Sequence, residues 1–396
     1  MMRFQELHQR GTNTVTSHSS SHNIILAAGG TGGHLFPAMS LGKTLEEKGY
    51  TPIFLIDKRA EVKFQEKNAS DWSFFVIKSG GIVGKNLFTR MKGALQLLLG
   101  TIQAAFILRR LKPDAVIGFG GYPSLPPLLA ARLPFFKKTI PLVHEGNAVA
   151  GTANRLLARL GARVCLSFPE TKGFSDNAAS EYIGMPIRPE LDDLSNRYPY
   201  IPPSTTGEIH LLIVGGSLGA SVFSTLIPQA LEALPNEIRS KIYISQQASE
   251  DFIPQLTEKY NKLGIHIKKI VPFFHDMIEQ ISEAHLLISR SGGGTVAEVI
   301  AADRPAIFIP LPTAAADEQT VNANFLVKNQ AAWLIPQREL SENPQQLTVL
   351  LKEIFENTQI LAQTADHLKI LAAPKATERF TDYIISLISH SSNPSE

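Results

Sequence analysis

A single cysteine, Cys165, occurs in 396 residues, so no intramolecular disulfide can form and a reducing compartment is expected. It lies in an apolar run, Arg163 to Phe168, that reads as a buried strand. Excess charge of either sign is also missing: 38 Lys and Arg stand against 36 Asp and Glu, a formal net charge of +2. Nucleic-acid binding, which usually needs a strongly basic face, has no global support, and any attraction to phosphate or lipid must be local. The first residues, Met1 to Asn23, carry Ser, His, Thr and Gln but no apolar block of the kind found in secretory signals. Residues 1–22 therefore read as a disordered tail. Clustered metal ligands are absent too: the histidines are scattered, and the adjacent Asp192 and Asp193 stand in a proline-rich stretch.

What is present is ordinary for a folded soluble protein, with 44% apolar and 19% charged residues. The length exceeds one comfortable core and favours two domains. Apolar runs alternate with amphipathic stretches from Asn23 to about Gly184. The expected strands are Ile24–Ala28, Pro52–Ile56, Phe74–Ile77, Ala115–Gly118, Ile140–Val143 and Arg163–Ser167. This alternation predicts an α/β fold with a parallel sheet wrapped by helices. Asp192, Asp193, Pro199, Pro202 and Pro203 interrupt the rhythm, so 188–207 reads as a linker. The alternation then restarts with Ile209–Val214, Lys241–Ser245, Ile265–Val271, His285–Ser289, Ala306–Ile309 and Ala331–Ile335. The expected organisation is an N-terminal domain over 23–187, a second domain over 208–372, and a helix over 373–390 that returns to the first. Two such halves predict a cleft at their strand ends, where open sheets bind ligands.

Three glycine-rich turns follow expected strands: Gly29-Gly30-Thr31-Gly32-Gly33-His34, Gly215-Gly216-Ser217-Leu218-Gly219-Ala220 and Arg290-Ser291-Gly292-Gly293-Gly294-Thr295. Glycine lets the backbone approach an anion, and the free N–H groups of a helix start favour negative charge. A turn packed for its own sake is the bland alternative. A dinucleotide-binding loop is the functional rival, with Asp57 placed to bind a ribose diol. It needs a third glycine at the position of Leu35. Three turns split between two domains suit a nucleotide diphosphate and a second polar substrate better than one dinucleotide.

In order along the chain, Gly29–Pro37 (GGTGGHLFP), Gly118–Ser124 (GFGGYPS), His144–Asn147 (HEGN), Gly184–Arg188 (GMPIR), Gly215–Ala220 (GGSLGA) and Arg290–Glu298 (RSGGGTVAE) resemble the motifs of the MurG family of UDP-N-acetylglucosamine transferases. The resemblance covers nearly all the chain from Asn23 onward. It implies a GT-B type fold, two Rossmann-like parallel-sheet domains facing across a cleft. It also implies inverting transfer of N-acetylglucosamine from UDP-N-acetylglucosamine to the C4 hydroxyl of a muramyl-peptide on undecaprenyl diphosphate, without a cofactor or catalytic metal. Two positions depart from the family, which commonly has glutamine where this chain has Gly146 and Leu218. Phosphate contacts near Leu218 would then fall to backbone N–H groups and Ser217.

His34 sits at a helix start, where the dipole disfavours imidazolium and keeps the ring neutral, the form a general base needs. Capping or substrate binding is its alternative role, and Glu145 is not ranked against it by sequence. Glu298, about one turn into the helix after the third loop, can accept hydrogen bonds from a ribose diol, the role the resemblance implies. Complementing the helix dipole is the competing role. Arg188 can neutralise a diphosphate or help close the cleft, or be a surface ion pair of the linker. Thr31, Gly32, Gly33, Ser217, Leu218, Gly219, Gly294 and Thr295 complete the expected nucleotide contacts. By resemblance, Gln319 holds donor sugar hydroxyls and the backbone of Phe274 reads uracil, although Phe273 and Phe274 also suit a core. Tyr122, Glu145 and Asn147 are assigned to the acceptor because their motifs belong to the first half.

The run from Gly93 to Leu108 is uncharged and about 16 residues long, short of the ~20 that span a bilayer. Arg90 and Lys92 precede it, and Arg109, Arg110 and Lys112 follow. It reads as an interfacial helix, with Arg132-Leu133-Pro134-Phe135-Phe136-Lys137-Lys138 as a second contact to an anionic membrane. A buried crossover helix is the alternative. Peripheral attachment to the cytoplasmic face of the bacterial inner membrane is the resulting expectation.

Overall fold

The computed structural model describes residues 22–30, 32–67, 71–80, 87–204, 206–216, 221–312 and 317–392; the tail expected over 1–22 lies outside them except for His22. They form two compact units. One comprises the chain up to Gly146, Ala150–Pro186 and the segment from Ala376; the other comprises Asn147–Val149 and Ile187–Lys375.

The first unit holds a seven-stranded sheet in the order β3-β2-β1-β4-β5-β6-β7. Its strands are β1 (Asn23–Ala28), β2 (Thr51–Ile56), β3 (Phe74–Val76), β4 (Ala115–Gly118), β5 (Ile140–Glu145), β6 (Arg163–Leu166) and β7 (Ser180–Tyr182), all paired in parallel. Helices cover both faces, so the central strands are apolar without interruption. Ile24, Leu26 and Ala28 enter one core with Phe54, Ile56 and Phe380, while Ile25 and Ala27 enter the other with Val116, Leu108 and Leu128. Each large side chain so buried contributes about 1.5–3 kcal/mol. The C-terminal helix Ala376–Ser392 packs on the helix Gly32–Glu47, with the Phe380 ring tilted against His144 at 5.7 Å between ring centroids.

The second unit repeats the plan with six strands in the order β10-β9-β8-β11-β12-β13. They are β8 (Ile209–Val214), β9 (Ile242–Gln247), β10 (His266–Val271), β11 (Leu286–Ser289), β12 (Ala306–Phe308) and β13 (Trp333–Leu334), again all parallel.

Three features depart from expectation. Strand β7 is exposed throughout, so no apolar run announces it. The stretch read as a linker contains the short helices Pro189–Asp192 and Leu194–Arg197, whose Leu191 and Leu194 are fully buried. Arg304, itself buried, donates to the carbonyls of Tyr198, Ser282, Ile281 and Ala302, and the Tyr200 hydroxyl donates to the His285 carbonyl at 2.9 Å. Residues up to Tyr200 are thus fastened into the second unit. Finally, Asn147 groups with the second unit because Asn322 Nδ2 donates to its Oδ1 at 3.0 Å and Asn322 Oδ1 accepts from Ala148 N at 2.8 Å.

Two histidines, His144 buried and His285 half-buried, link folding to pH. Burial pushes His144 down to about 3, and His34 adds to this; a hydrogen bond to the Gly184 backbone opposes it. Burial pushes His285 down to about 4, with neighbouring His210 acting in the same direction. Its Nδ1 accepts from the His210 amide at 2.9 Å, which requires that nitrogen to be unprotonated. With folded values below the ordinary 6.5, the unfolded chain takes up protons first as pH falls, so stability is lost below that point. Urea midpoints are expected to fall from pH 6.5 towards pH 4, and to fall less steeply in His144→Gln and His285→Gln.

Candidate functional site

In the first unit β1 ends at Ala28, and Gly29 and Gly30 lead to the helix Gly32–Glu47, with His34 in its first turn. The chain can turn so tightly because a Cβ on Gly29 would stand 2.5 Å from Pro123 Cγ, a space only glycine leaves. Packing thus accounts for part of this loop, as the bland reading had it. Asp57, at the end of β2, is buried. Its carboxylate accepts from Gly30 N at 3.2 Å and Ala60 N at 3.0 Å and pairs with Arg59 at 2.6 Å. It holds the glycine turn and starts the next helix, which leaves it poorly placed for the ribose that a dinucleotide would bring.

The imidazole of His34 lies against Gly120 and Gly121 in the loop after β4. A Cβ on Gly120 would meet His34 Nε2 at 3.2 Å, and both glycines have positive φ, 91° and 71°. Burial lowers the His34 pKa, partly offset by a hydrogen bond to the Gly29 backbone and the charge of Asp57. The ring is therefore neutral at neutral pH. Ser124 fixes the opposite loop by donating to the Gly120 carbonyl at 2.9 Å. Tyr122, half-buried, opens the short helix Tyr122–Ser124 in that loop.

Glu145 ends β5 and is 3% exposed. Its Oε2 accepts from Gly151 N at 2.8 Å and Asn154 Nδ2 at 2.9 Å, and Asn154 also donates to the His144 carbonyl at 3.0 Å. Asn154 is a site residue that sequence reasoning missed. A polar residue in the first turn of a helix reads as surface, yet this one is buried.

In the second unit the third glycine turn follows β11 and starts the helix Gly293–Ala302. A Cβ on Gly294 would meet nothing within 4 Å, so the helix start is open to a ligand. Glu298 and Arg188 interact within this unit: burial raises the carboxyl pKa, and the Arg188 charge opposes the rise. Arg188 immediately precedes the helix Pro189–Asp192, which packs on Gly293–Ala302. Thr295 is half-buried in the same first turn as Gly294.

Arg290, also unassigned by sequence, organises these parts. It donates to the carbonyls of Ile309 and Pro310 and to Gln337 at 2.7–2.9 Å, and it lies 4.8 Å over the Phe223 ring. Its place inside the third motif was the available signal. Gln319 is held by Leu311 N donating to its Oε1 at 3.0 Å, while its own carbonyl accepts from Ser291 Oγ at 2.8 Å; among the described residues its amide nitrogen is the end left to donate. The Phe274 ring is 2% exposed, which fixes its backbone, while Phe273 is half exposed. Thr31, Ser217, Leu218 and Gly219 lie outside the described residues. His34, Gly32, Gly33, Tyr122 and Glu145 gather in the first unit, and Arg188, Phe274, Gly294, Thr295, Glu298 and Gln319 in the second. Asn147 is bound to Asn322 of the second unit, which removes the reason for assigning it to the acceptor with the first-half motifs.

The glycosyltransferase family 28 N-terminal domain matches residues 24–166 and the family 28 C-terminal domain matches 210–380. The chain belongs to the MurG branch of glycosyltransferase family 28. It is 38% identical over 366 residues to the UDP-N-acetylglucosamine–N-acetylmuramyl-(pentapeptide) pyrophosphoryl-undecaprenol N-acetylglucosamine transferase of Gluconobacter oxydans, covering 92% of this chain and 98% of that one. The enzyme of the same name from Rhodospirillum rubrum is 39% identical, with 93% and 92% covered. The crystal structure of Acinetobacter baumannii MurG superposes with a TM-score of 0.74 at 31% identity, covering 92% of this chain and 99% of that one. The architecture is thus the two-domain GT-B type expected from the motifs.

The close approach of Gly120 to His34 yields a test. Gly120→Ala combines an unfavourable φ with that contact and is expected to cost roughly 1–3 kcal/mol of stability in urea titrations. In imidazole NMR the wild-type His34 should titrate below 6.5, and the variant should move its midpoint.

Proposed function

We propose that this chain is an inverting transferase that moves N-acetylglucosamine from UDP-N-acetylglucosamine to the C4 hydroxyl of an N-acetylmuramyl-peptide on undecaprenyl diphosphate, the step that completes the lipid-linked disaccharide of peptidoglycan. The observation that carries it is relatedness over nearly the whole length of both chains to transferases named for this reaction.

The acceptor oxygen attacks the anomeric carbon opposite the UDP, the bond to the diphosphate oxygen breaks, and the acceptor proton leaves. His34 takes that proton in this reading. It is neutral, and it is half-buried where Glu145 is closed off and engaged. Charge builds on the departing diphosphate, and N–H donors at the open start of Gly293–Ala302, with Arg188, suit that charge. Glu298 accepts from the ribose diol, and Gln319 donates to the sugar. This division of labour assigns no step to a metal. Tyr122 contributes to the acceptor side.

Membrane attachment has its own support. The helix Leu87–Leu111 turns small residues inward, with Gly93, Gly100 and Ala104 buried, and large ones outward. Leu95, Leu98, Ile102 and Phe106 are 47–71% exposed, and Phe135 is 86% exposed. Arg90 and Lys92 precede this stripe, and Arg109 and Arg110 follow it, all exposed. By length and composition alone Arg90–Leu111 could cross a bilayer, once the uncharged run Gly93–Leu108 is extended by the charged residues at both ends. A helix that fixes one face on its own unit and offers the other to lipid is, however, interfacial. In this reading the enzyme sits peripherally on the anionic cytoplasmic face of the inner membrane, next to its lipid substrate, and nucleic acid is not a partner.

UDP release from UDP-N-acetylglucosamine is expected only when a short-chain lipid acceptor is added; acceptor-independent turnover would point to an epimerase, and binding without turnover to a non-catalytic subunit. His34→Ala should lower kcat by roughly 10²–10⁴. Glu298→Ala should raise the donor KM roughly ten-fold or more, as for a lost charged hydrogen bond. Phe106→Glu with Phe135→Glu should abolish flotation with acidic liposomes at low salt while leaving turnover of a soluble acceptor intact.

A further inference from the structure

β9 ends in two glutamines whose side chains are both buried, Gln246 and Gln247. Gln246 Oε1 accepts from the Tyr260 hydroxyl, and its Nε2 is buried with no partner among the described residues. Gln247 reaches a different segment. Its Nε2 donates to the Pro272 carbonyl at 3.1 Å, and its Oε1 is buried with no partner among the described residues. A buried carbonyl oxygen without a donor is unfavourable, so the position calls for a reason beyond packing.

The reason lies in what Pro272 begins. Val271 closes β10 and pairs with Gln247, and Ala248 N donates to the Val271 carbonyl at 3.0 Å. Beyond it the chain turns through Phe273 and Phe274 to the helix Met277–Glu283. The far side of the turn is clamped: Asp276 Oδ2 accepts from Lys269 Nζ at 2.7 Å and from Gln280 Nε2 at 3.0 Å. The Phe274 ring is sunk in the core as a wedge. Between the two clamps, the N–H of Phe274 makes no backbone hydrogen bond among the described residues.

We infer that Gln247 is the positioning residue that sets base specificity, holding the Pro272–Phe274 turn where one backbone N–H and one C=O meet a uracil edge. This rests on the proposed function and on the uracil-reading role that resemblance to the MurG family gives the backbone of Phe274. Uracil offers an acceptor at O4 beside a donor at N3. Cytosine reverses both, with a donor at N4 and an acceptor at N3. A rigid N–H and C=O pair therefore accepts one base and leaves the other with mismatched partners, and a discrimination of this kind decays once the turn can shift. Gln247 supplies one of the two clamps and touches neither base nor sugar.

The test uses the full chain with UDP and CDP as competitive inhibitors of the transferase assay, together with Gln247→Met, which keeps the volume but has no donor for Pro272, and Gln247→Glu, which keeps the shape and loses the donor whenever its carboxyl is ionised. Thermal melts establish which variants are folded; methionine guards against the case in which the buried glutamate alone unfolds the protein. The expected result is a rise in the UDP inhibition constant of roughly three- to ten-fold, as for one lost hydrogen bond. The CDP constant should be nearly unchanged, the donor KM should rise in parallel, and kcat should stay within about two-fold. An unchanged UDP-to-CDP ratio in a folded variant would overturn the role of Gln247 alone. Equal inhibition of the wild type by UDP and CDP would overturn the base-reading turn itself and this inference with it.

Discussion

Parallel pairing sends the C-terminal end of every strand to the same edge of its sheet, and each following helix begins there with unsatisfied N–H groups. The candidate residues of each unit depend on that constraint. The turn after β1 delivers Gly29 to His34, the loop after β4 delivers Gly120 to Tyr122, and β5 ends on Glu145. The turn after β11 delivers Arg290 to Glu298, and the ends of β9 and β10 deliver Gln247 and Phe274. No long loop has to be folded into place, because the sheet aligns the chemistry before any side chain is chosen.

Alignment alone leaves the turns free to move, and buried polar side chains remove that freedom. Asp57 ties the first glycine turn to β2, Asn154 ties Glu145 to the backbone of His144, Arg290 ties the third turn to the end of β12, and Gln247 ties β9 to the Phe274 turn. Each such group would cost about 1–3 kcal/mol if left without a partner. The bonds therefore act as constraints: a turn that drifts strands a buried donor or acceptor, and the native geometry is favoured by that penalty.

The strands were legible because burial on both faces forces uninterrupted apolar runs, and the bounds read for β4 and β8 coincide with those in the structure. β7 was not, since Ser180, Glu181 and Tyr182 are held by backbone pairing at an exposed edge and leave no apolar mark. The short helices at Leu191 and Leu194 were hidden by their Pro and Asp neighbours, which dominate a linker reading although two leucines carry the packing. In the site, residues inside glycine motifs were found and those that position them were not. Asn154, Asn322 and Gln247 stand in regular elements, where a polar side chain reads as solvated. Only tertiary contacts distinguish a buried amide from a surface one, and the same gap put Asn147 with the wrong unit.

The near-neutral charge of the chain has a counterpart in the site. Burial disfavours the charged form of any group, so it pushes His34 towards imidazole and Glu298 towards the protonated acid. The two outcomes are useful in different ways. A neutral imidazole can take a proton, whereas a carboxyl group accepts best from a diol as a carboxylate, and each is given an opposing charge, Asp57 for His34 and Arg188 for Glu298. Arg290 is excluded from the same duty because its guanidinium is committed to Ile309, Pro310 and Gln337. Where a full charge is wanted the fold supplies a single partner for it, and elsewhere backbone N–H groups take the place of cations.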